Sequence, residues 1–138
     1  MQRIVYVDTS AIREGKLEEL KEAMRRLATF VEENVPEVIS YGFFLDREER
    51  EMTVVAVHPD STSLAHHLDV GAAEFSRFAS LIELLAIEVY GRIDESVLER
   101  LHRKARMLGN GTVKVGHFYA GFDRSRLITS EREGNTYG

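Results

Sequence analysis

The segment from Tyr41 to Phe78 constrains the fold of this chain more than any other part of the sequence. It reads as two alternating strands joined by the charged turn Asp46–Arg50, followed by a short helix that carries His66 and His67. Gly71 then interrupts the helical pattern, and a second apolar helical piece follows. This segment therefore predicts a hairpin next to a helical layer, with histidines beside the most apolar surface of the chain.

Hydrophobic periodicity extends this reading to the remaining elements. Strands are predicted over Arg3–Asp8, Val38–Leu45, Met52–His58, Ile82–Tyr90 and Thr112–Phe122. Helices are predicted over Lys16–Asn34, from Ser61 to the Gly71 break, over Ala72–Ser80, and over Glu95–Leu108 behind an Asp94 cap. The residues between the first strand and the first helix, Thr9–Gly15, are predicted to form a polar connection.

The order of these elements predicts an α+β fold. The first six follow the split βαβ repeat of the ferredoxin-like plan, and an extra C-terminal helix and strand follow them. That extra strand must lie at an edge of the sheet or reach another subunit. We expect residues 1–122 to form one domain and the polar stretch 123–138, which has no periodicity, to be a mobile tail.

Composition excludes several classes of protein. With 43% apolar and 30% charged residues, the 138-residue chain is typical of a soluble globular domain. Its longest apolar run, Leu84–Ile87, is far too short to span a membrane. A net charge of −5 argues against nucleic acid as a partner, and the absence of cysteine excludes disulfides and thiolate chemistry. No targeting segment is recognisable at Met1, so we expect a cytoplasmic protein.

A family resemblance rests on the segment Ser61–Leu68 and on the two aromatic residues that follow it, Phe75 and Phe78. A helix of small residues carries a histidine before an apolar residue, and a second helical piece carries aromatic side chains. In this pattern the chain resembles the dimeric α+β barrel superfamily, and within it the antibiotic-biosynthesis-monooxygenase-like proteins. His67 matches the family histidine, with His66 as the alternative.

The resemblance covers Arg3 to Tyr90, and the last helix and strand look like an extension. It implies a homodimer whose sheets face each other and enclose apolar pockets between sheet and helices. It also implies cofactor-independent oxidation of an aromatic or quinone-like substrate, or a non-catalytic ligand-binding or regulatory module. Haem-degrading members use a tryptophan, which this chain lacks. Where the family has a glutamate and an aromatic residue before the turn, this chain has Ala56, Val57 and His58.

His67 is the candidate catalytic base. A neutral imidazole in an apolar pocket accepts a proton near pH 7, and cofactor-free oxygenation needs such a base to form a substrate carbanion. Its spacing from Leu64 points His67 inward, towards a cavity near Phe75 and Phe78. The alternative interpretation is a half-buried histidine with a structural role only.

The candidate ligand-binding residues are mostly aromatic side chains and histidines, namely His58, Phe75, Phe78, Tyr41, Phe43 and His117. The aromatic residues are equally compatible with a core and a dimer interface, and Phe43 is a candidate to face the partner subunit. Four histidines, at 58, 66, 67 and 117, carry imidazoles that could bind a metal. Their spacing matches no ligand motif, and neighbouring helical residues diverge by about 100°. We therefore expect neither a metal nor a cofactor.

Overall fold

A computed structural model describes residues 3–124. In this part of the chain five strands form one sheet, and four helices accompany it. In chain order the elements are β1 (Ile4–Ile12), α1 (Leu17–Asn34), β2 (Ser40–Leu45), β3 (Glu51–His58), α2 (Ser61–Val70), α3 (Ala72–Ser76), β4 (Ile82–Tyr90), α4 (Glu95–Leu108) and β5 (Thr112–Gly116). The predicted tail at 123–138 lies outside the described residues except for its first two positions.

The strand order confirms the predicted fold class. The sheet runs β2-β3-β1-β4-β5, and its first four strands pair antiparallel in the ferredoxin-like order. Strand β5 pairs parallel with β4. Parallel neighbours need a crossover connection, and α4 supplies it. Of the two places foreseen for the extra strand, the chain uses the sheet edge.

The two faces of the sheet differ in what covers them. Along β1, Ile4, Tyr6, Asp8 and Ser10 are buried, whereas the side chains between them are only half-buried. The buried face, here called the inner face, packs against the helices and forms the core with them. The opposite, outer face carries no helix among residues 3–124. No helix in this range is long and apolar enough to cross a membrane.

Three predicted elements end at residues other than those expected. Strand β1 continues to Ile12, because its last residues pair with β3 on one side and β4 on the other, so the predicted polar connection at Thr9–Gly15 was too long. Helix α3 ends at Ser76 rather than Ser80. Strand β5 ends at Gly116 rather than Phe122, because its neighbour β4 ends at Tyr90 and offers no further partner.

Carboxylates cap the first turns of α2 and α4, and the predicted cap at Asp94 is confirmed. The Asp60 carboxylate accepts a hydrogen bond from the Ser63 amide at 2.9 Å, and the Asp94 carboxylate accepts one from the Val97 amide at 3.0 Å. Helix α4 ends where Gly109 and Asn110 adopt positive φ angles of 137° and 62°. These caps fix where α2 and α4 begin, and so which of their side chains point at the sheet.

Candidate functional site

A pair of buried histidines lies where β3 meets α2. His58 is the last residue of β3, and the Asp60 cap starts α2 at once, so that Ser63 and His67, four residues apart, share one helix face. The His58 Nδ1 atom hydrogen-bonds the Ser63 hydroxyl at 2.7 Å. The His58 Nε2 and His67 Nδ1 atoms lie 3.3 Å apart in a second hydrogen bond.

Burial keeps both histidines neutral near pH 7. Desolvation lowers the pKa of His58 to about 4, although Glu37 and Asp60 act in the opposite direction. Desolvation, followed by the positive charge of Lys104 and the neighbouring His58, lowers the pKa of His67 to about 2. The Nε2 atom of His67 is buried and finds no hydrogen-bond partner among residues 3–124.

A small cavity of about 20 Å³ lies between the inner face and the helices. Its lining combines aliphatic, aromatic and polar side chains: Asp8, Ser10, Leu27, Tyr41, Phe43, Met52, Val54, Phe75, Phe78, Ile82, Leu84, Lys104 and Leu108. The rings of Phe43 and Phe78 stack with centroids 6.3 Å apart and an interplanar angle of 4°. A cavity of this size has room for about one water molecule.

His67 stands next to this cavity without lining it. Its ring contacts Tyr41 edge-on at a centroid distance of 5.2 Å and Phe75 at 5.6 Å. Both of these neighbours belong to the cavity lining, whereas His67 does not. The inward direction expected from the helix spacing is present, since His67 is only 3% exposed. The imidazole would reach a ligand only if Tyr41 or Phe75 moved.

The polar part of the cavity comes from β1 and α4. Lys104 extends from α4 and donates hydrogen bonds to the Tyr6 hydroxyl at 2.7 Å and to the Asp8 carboxylate at 3.3 Å. Tyr6 in turn donates to the same carboxylate oxygen of Asp8. Ser10, one more step along the inner face, is fully buried, and its hydroxyl has no partner in the described part of the chain. We call Tyr6, Asp8, Ser10 and Lys104 the polar cluster.

Electrostatics couple the members of the polar cluster. Desolvation lowers the pKa of Lys104, and the Asp8 carboxylate counteracts this effect. The pKa of Tyr6 is raised, first by desolvation and then by Asp8, so its phenol stays protonated. A buried charge is tolerated when it is paired and hydrogen-bonded, and here each charged group has both kinds of partner.

Sequence analysis missed Asp8 and Lys104 as site residues. A signal for Asp8 was present, since an acidic residue followed Ile4 and Tyr6 on one side of an alternating strand. No comparable signal marked Lys104, because α4 is rich in basic residues and only packing shows which of them turns inward.

The predicted site residues separate into two groups. His58, His67, Tyr41, Phe43, Phe75 and Phe78 lie together around the cavity. His66 and His117 lie elsewhere. His66 is exposed and hydrogen-bonds the Glu37 carboxylate at 2.8 Å. His117 follows β5 and lines a separate surface pocket of about 220 Å³ with Tyr90 and Phe118, so the expected strand position of His117 was wrong.

The direction in which Phe43 points also differs from the predicted one. It pairs with Val54 and points to the inner face, so it cannot face a partner subunit across the outer face. Its neighbour Phe44 is the aromatic residue of β2 on the outer face, where it is 58% exposed. Among residues 3–124, no group of three or more histidine, aspartate or glutamate side chains is arranged to hold a metal ion.

Solved structures provide the comparison with known proteins, since neither a family model nor a curated protein sequence matches this chain. MupZ from Pseudomonas fluorescens is similar over 91% of this chain and 98% of its own, with a TM-score of 0.72 and 19% identity. Protein SO0527 from Shewanella oneidensis is similar over 66% of this chain and 91% of its own, with a TM-score of 0.57 and 26% identity. SnoaB, a cofactor-independent oxygenase from Streptomyces nogalater, covers 67% of this chain and 94% of its own, with a TM-score of 0.58 and 14% identity.

These similarities confirm the predicted resemblance at the level of the fold. The chain shares a ferredoxin-like α+β fold with MupZ and SnoaB. The match to MupZ covers 91% of 138 residues, whereas everything before α4 amounts to only about two thirds of the chain, so that match extends into the C-terminal part that begins with α4. The matches to SO0527 and SnoaB cover only about two thirds of the chain.

Proposed function

We propose that the protein is a homodimer that binds a small, largely apolar molecule with a flat ring between sheet and helices. We further propose that it acts on this molecule as a cofactor-independent, monooxygenase-like enzyme in the cytoplasm. The observation that carries the proposal is the cavity itself, where aromatic walls meet the buried polar cluster. Ligand sites typically combine apolar walls with a few fixed polar groups. SnoaB, a cofactor-independent oxygenase of the same fold, supports the choice of reaction.

The cavity must expand to accept such a ligand, because its present volume is that of about one water molecule. Tyr41 and Phe43 are the wall residues that can move most readily. Both lie on β2, at the edge of the sheet, and both are only partly buried. Rotation of these two rings would open space beside Asp8 and Ser10 without disturbing a central strand.

The proposed reaction needs a base and an electron source. Without a redox cofactor, the substrate itself must supply the electrons that reduce oxygen, so the class of substrate is an electron-rich phenol or enol. Removing a proton from it gives the anion, which transfers electrons to oxygen and forms a carbon–oxygen bond to give a hydroperoxide. Cleavage of the O–O bond then releases one oxygen atom as water and leaves the other on the substrate as a carbonyl, so the substrate carbon supplies all four electrons. Asp8 lines the cavity and carries an anionic acceptor oxygen, which makes it the better-placed base.

His67 is the second candidate base, and its environment weakens it. A pKa of about 2 lies far below the value near 7 that suits a base at neutral pH. Proton transfer to His67 would also place a charged ring beside Lys104 and His58 in a desolvated site. We therefore propose that His67 mainly forms a second layer of the cavity wall behind the rings of Tyr41 and Phe75, which contact it on the cavity side.

The outer face supports the homodimer. It presents Val5, Val7, Val55 and Val57 in the middle of the sheet, and Phe44 and Tyr90 are 58% and 39% exposed on the same face. A contiguous apolar face of this kind is uncommon on a monomer and typical of an interface. A second copy of the same sheet would cover it with matching apolar side chains.

The test is oxygen consumption with anthrone as an electron-rich probe, measured alongside binding of the same probe. We expect turnover by the wild-type protein, and a loss of about a hundredfold in rate with retained binding for Asp8→Asn. His67→Gln should reduce the rate less, and the exposed His102→Gln is the matched control. Turnover that is unchanged in Asp8→Asn would contradict the assignment of the base.

The second candidate function is a non-catalytic ligand-binding or regulatory module with the same cavity. Two observations favour it. The basicity of His67 is weak, and the Asp8 carboxylate already accepts hydrogen bonds from Lys104 and Tyr6. A protein that binds anthrone and consumes no oxygen would be this module.

A further inference from the structure

A surface groove of about 140 Å³ runs between the α2–α3 segment and α4. It is lined by Leu68, Asp69, Ala72, Phe75, Arg100, Arg103, Lys104 and Met107. Phe75 and Lys104 belong both to this groove and to the lining of the inner cavity. These two side chains therefore form the common wall between the outside of the protein and the polar cluster.

The common wall is held by contacts that can break and form again. The Lys104 ammonium lies 4.0 Å from the centroid of the Phe75 ring, in a cation–π contact. Lys104 has a long flexible stem, and its side chain is already 11% exposed. Phe75 lies on the short, five-residue helix α3. Rotation of the two side chains would join the groove to the cavity.

The groove is positively charged although the whole chain carries a net charge of −5. Arg100 forms a two-pronged pair with Asp69, with N–O distances of 2.7 and 3.1 Å. Arg103 is exposed and has no ion pair among residues 3–124. Of the three cations that line the groove, Arg100 is paired with Asp69 and Lys104 is paired with Asp8, so the groove keeps the charge of Arg103 as its net positive charge.

We propose that this groove is the entrance to the cavity and that it selects apolar ligands bearing a carboxylate. The ring system would pass between Phe75 and Lys104 into the cavity, and the carboxylate would stay outside on the Arg103 guanidinium. A guanidinium binds a carboxylate through two parallel hydrogen bonds, which a neutral ligand cannot form. The inference rests on the proposed ligand cavity, but it requires no oxygen chemistry.

Binding of anthracene-2-carboxylate and of its uncharged primary amide tests the charge selection. We expect the wild-type protein to bind the carboxylate about tenfold more tightly than the amide, the scale of one charge-assisted hydrogen bond. Arg103→Glu should remove this preference by weakening only the carboxylate. Arg26→Glu, an equally exposed charge reversal on α1, is the control and should keep the preference. Equal affinities in the wild-type protein would overturn the inference, as would a failure of both probes to bind.

Stopped-flow association of the same two probes tests the entrance. Met107 lines the groove and is 38% exposed, so Met107→Trp should obstruct the passage without disturbing the core. We expect both probes to associate about tenfold more slowly with this variant. Unchanged association rates would show that ligands enter elsewhere, for example beside Tyr41 on β2. Both readouts are independent of oxygen consumption, so a failure of the oxygenase proposal leaves them interpretable.

Discussion

Mild acid should destabilise this protein through the buried pair His58 and His67. Both have a folded-state pKa below the ordinary value of 6.5, at about 4 and about 2. Well above pH 6.5 both are neutral in the folded and unfolded states, and their contribution to stability is constant. Below pH 6.5 the unfolded chain binds protons that the folded protein excludes, so the free energy of unfolding falls. This loss continues to about pH 4 for His58 and to about pH 2 for His67.

The size of the effect follows from the two pKa values. At pH 5 an unfolded histidine with a pKa of 6.5 is about 97% protonated, whereas the folded ring is almost wholly neutral. The difference lowers the free energy of unfolding by about 2 kcal/mol per histidine between pH 7 and pH 5. The pair together loses about 4 kcal/mol, a large part of the 5–15 kcal/mol typical of a domain.

Urea unfolding at fixed protein concentration, followed by circular dichroism at pH 7, 6 and 5, measures this loss. The window lies above the ordinary pKa of carboxylates, so histidines dominate the titration. His67→Gln removes one titrating ring and should reduce the loss to about 2 kcal/mol. His102→Gln removes an exposed histidine from α4 and should leave the loss unchanged. A wild-type stability that is constant from pH 7 to pH 5, or a full loss in His67→Gln, would show that the buried pair does not cause the acid sensitivity.

Three further predictions concern the outer face, the α4–β5 connection and metal content. Phe44→Glu should convert a dimer to monomers with a retained fold, as measured by sedimentation at micromolar concentration. Phe43→Glu should instead impair folding, because Phe43 packs inside the protein. A Phe44→Glu protein that is still dimeric would contradict the outer face as the interface. Gly111→Ala should lower the free energy of unfolding by about 2 kcal/mol in urea titrations, because a Cβ atom there would lie 2.9 Å from the backbone oxygens of Leu84 and Leu85; unchanged stability would contradict this. Untagged protein should consume oxygen at the same rate after treatment with EDTA, and it should show no strong Soret band when haem is added. Stoichiometric metal after purification, or a strong Soret band, would contradict this prediction.

The polar cluster shows why part of the site could not be predicted from the sequence. Asp8 and Lys104 are 96 residues apart in the chain, and no periodicity links them. Their contact exists because α4 crosses the sheet to place β5 beside β4. This crossing directs one of several basic residues of α4 towards the inner face of β1. The choice among those basic residues depends on the rotation of α4 against the sheet, and packing determines that rotation.

The kinds of element, their order and the fold class follow from local sequence, because apolar periods of two and of three to four residues are local properties. The inward direction of His67 follows in the same way, since Leu64 and His67 share one face of α2. Other features depend on contacts between distant parts of the chain: β5 joins the sheet edge, Phe43 faces the core and Phe44 the outer face, and Tyr41 and Phe75 stand between His67 and the cavity. Local sequence cannot predict them, because register and packing are set between elements distant in the chain, where a shift of one residue exchanges the two faces of a strand.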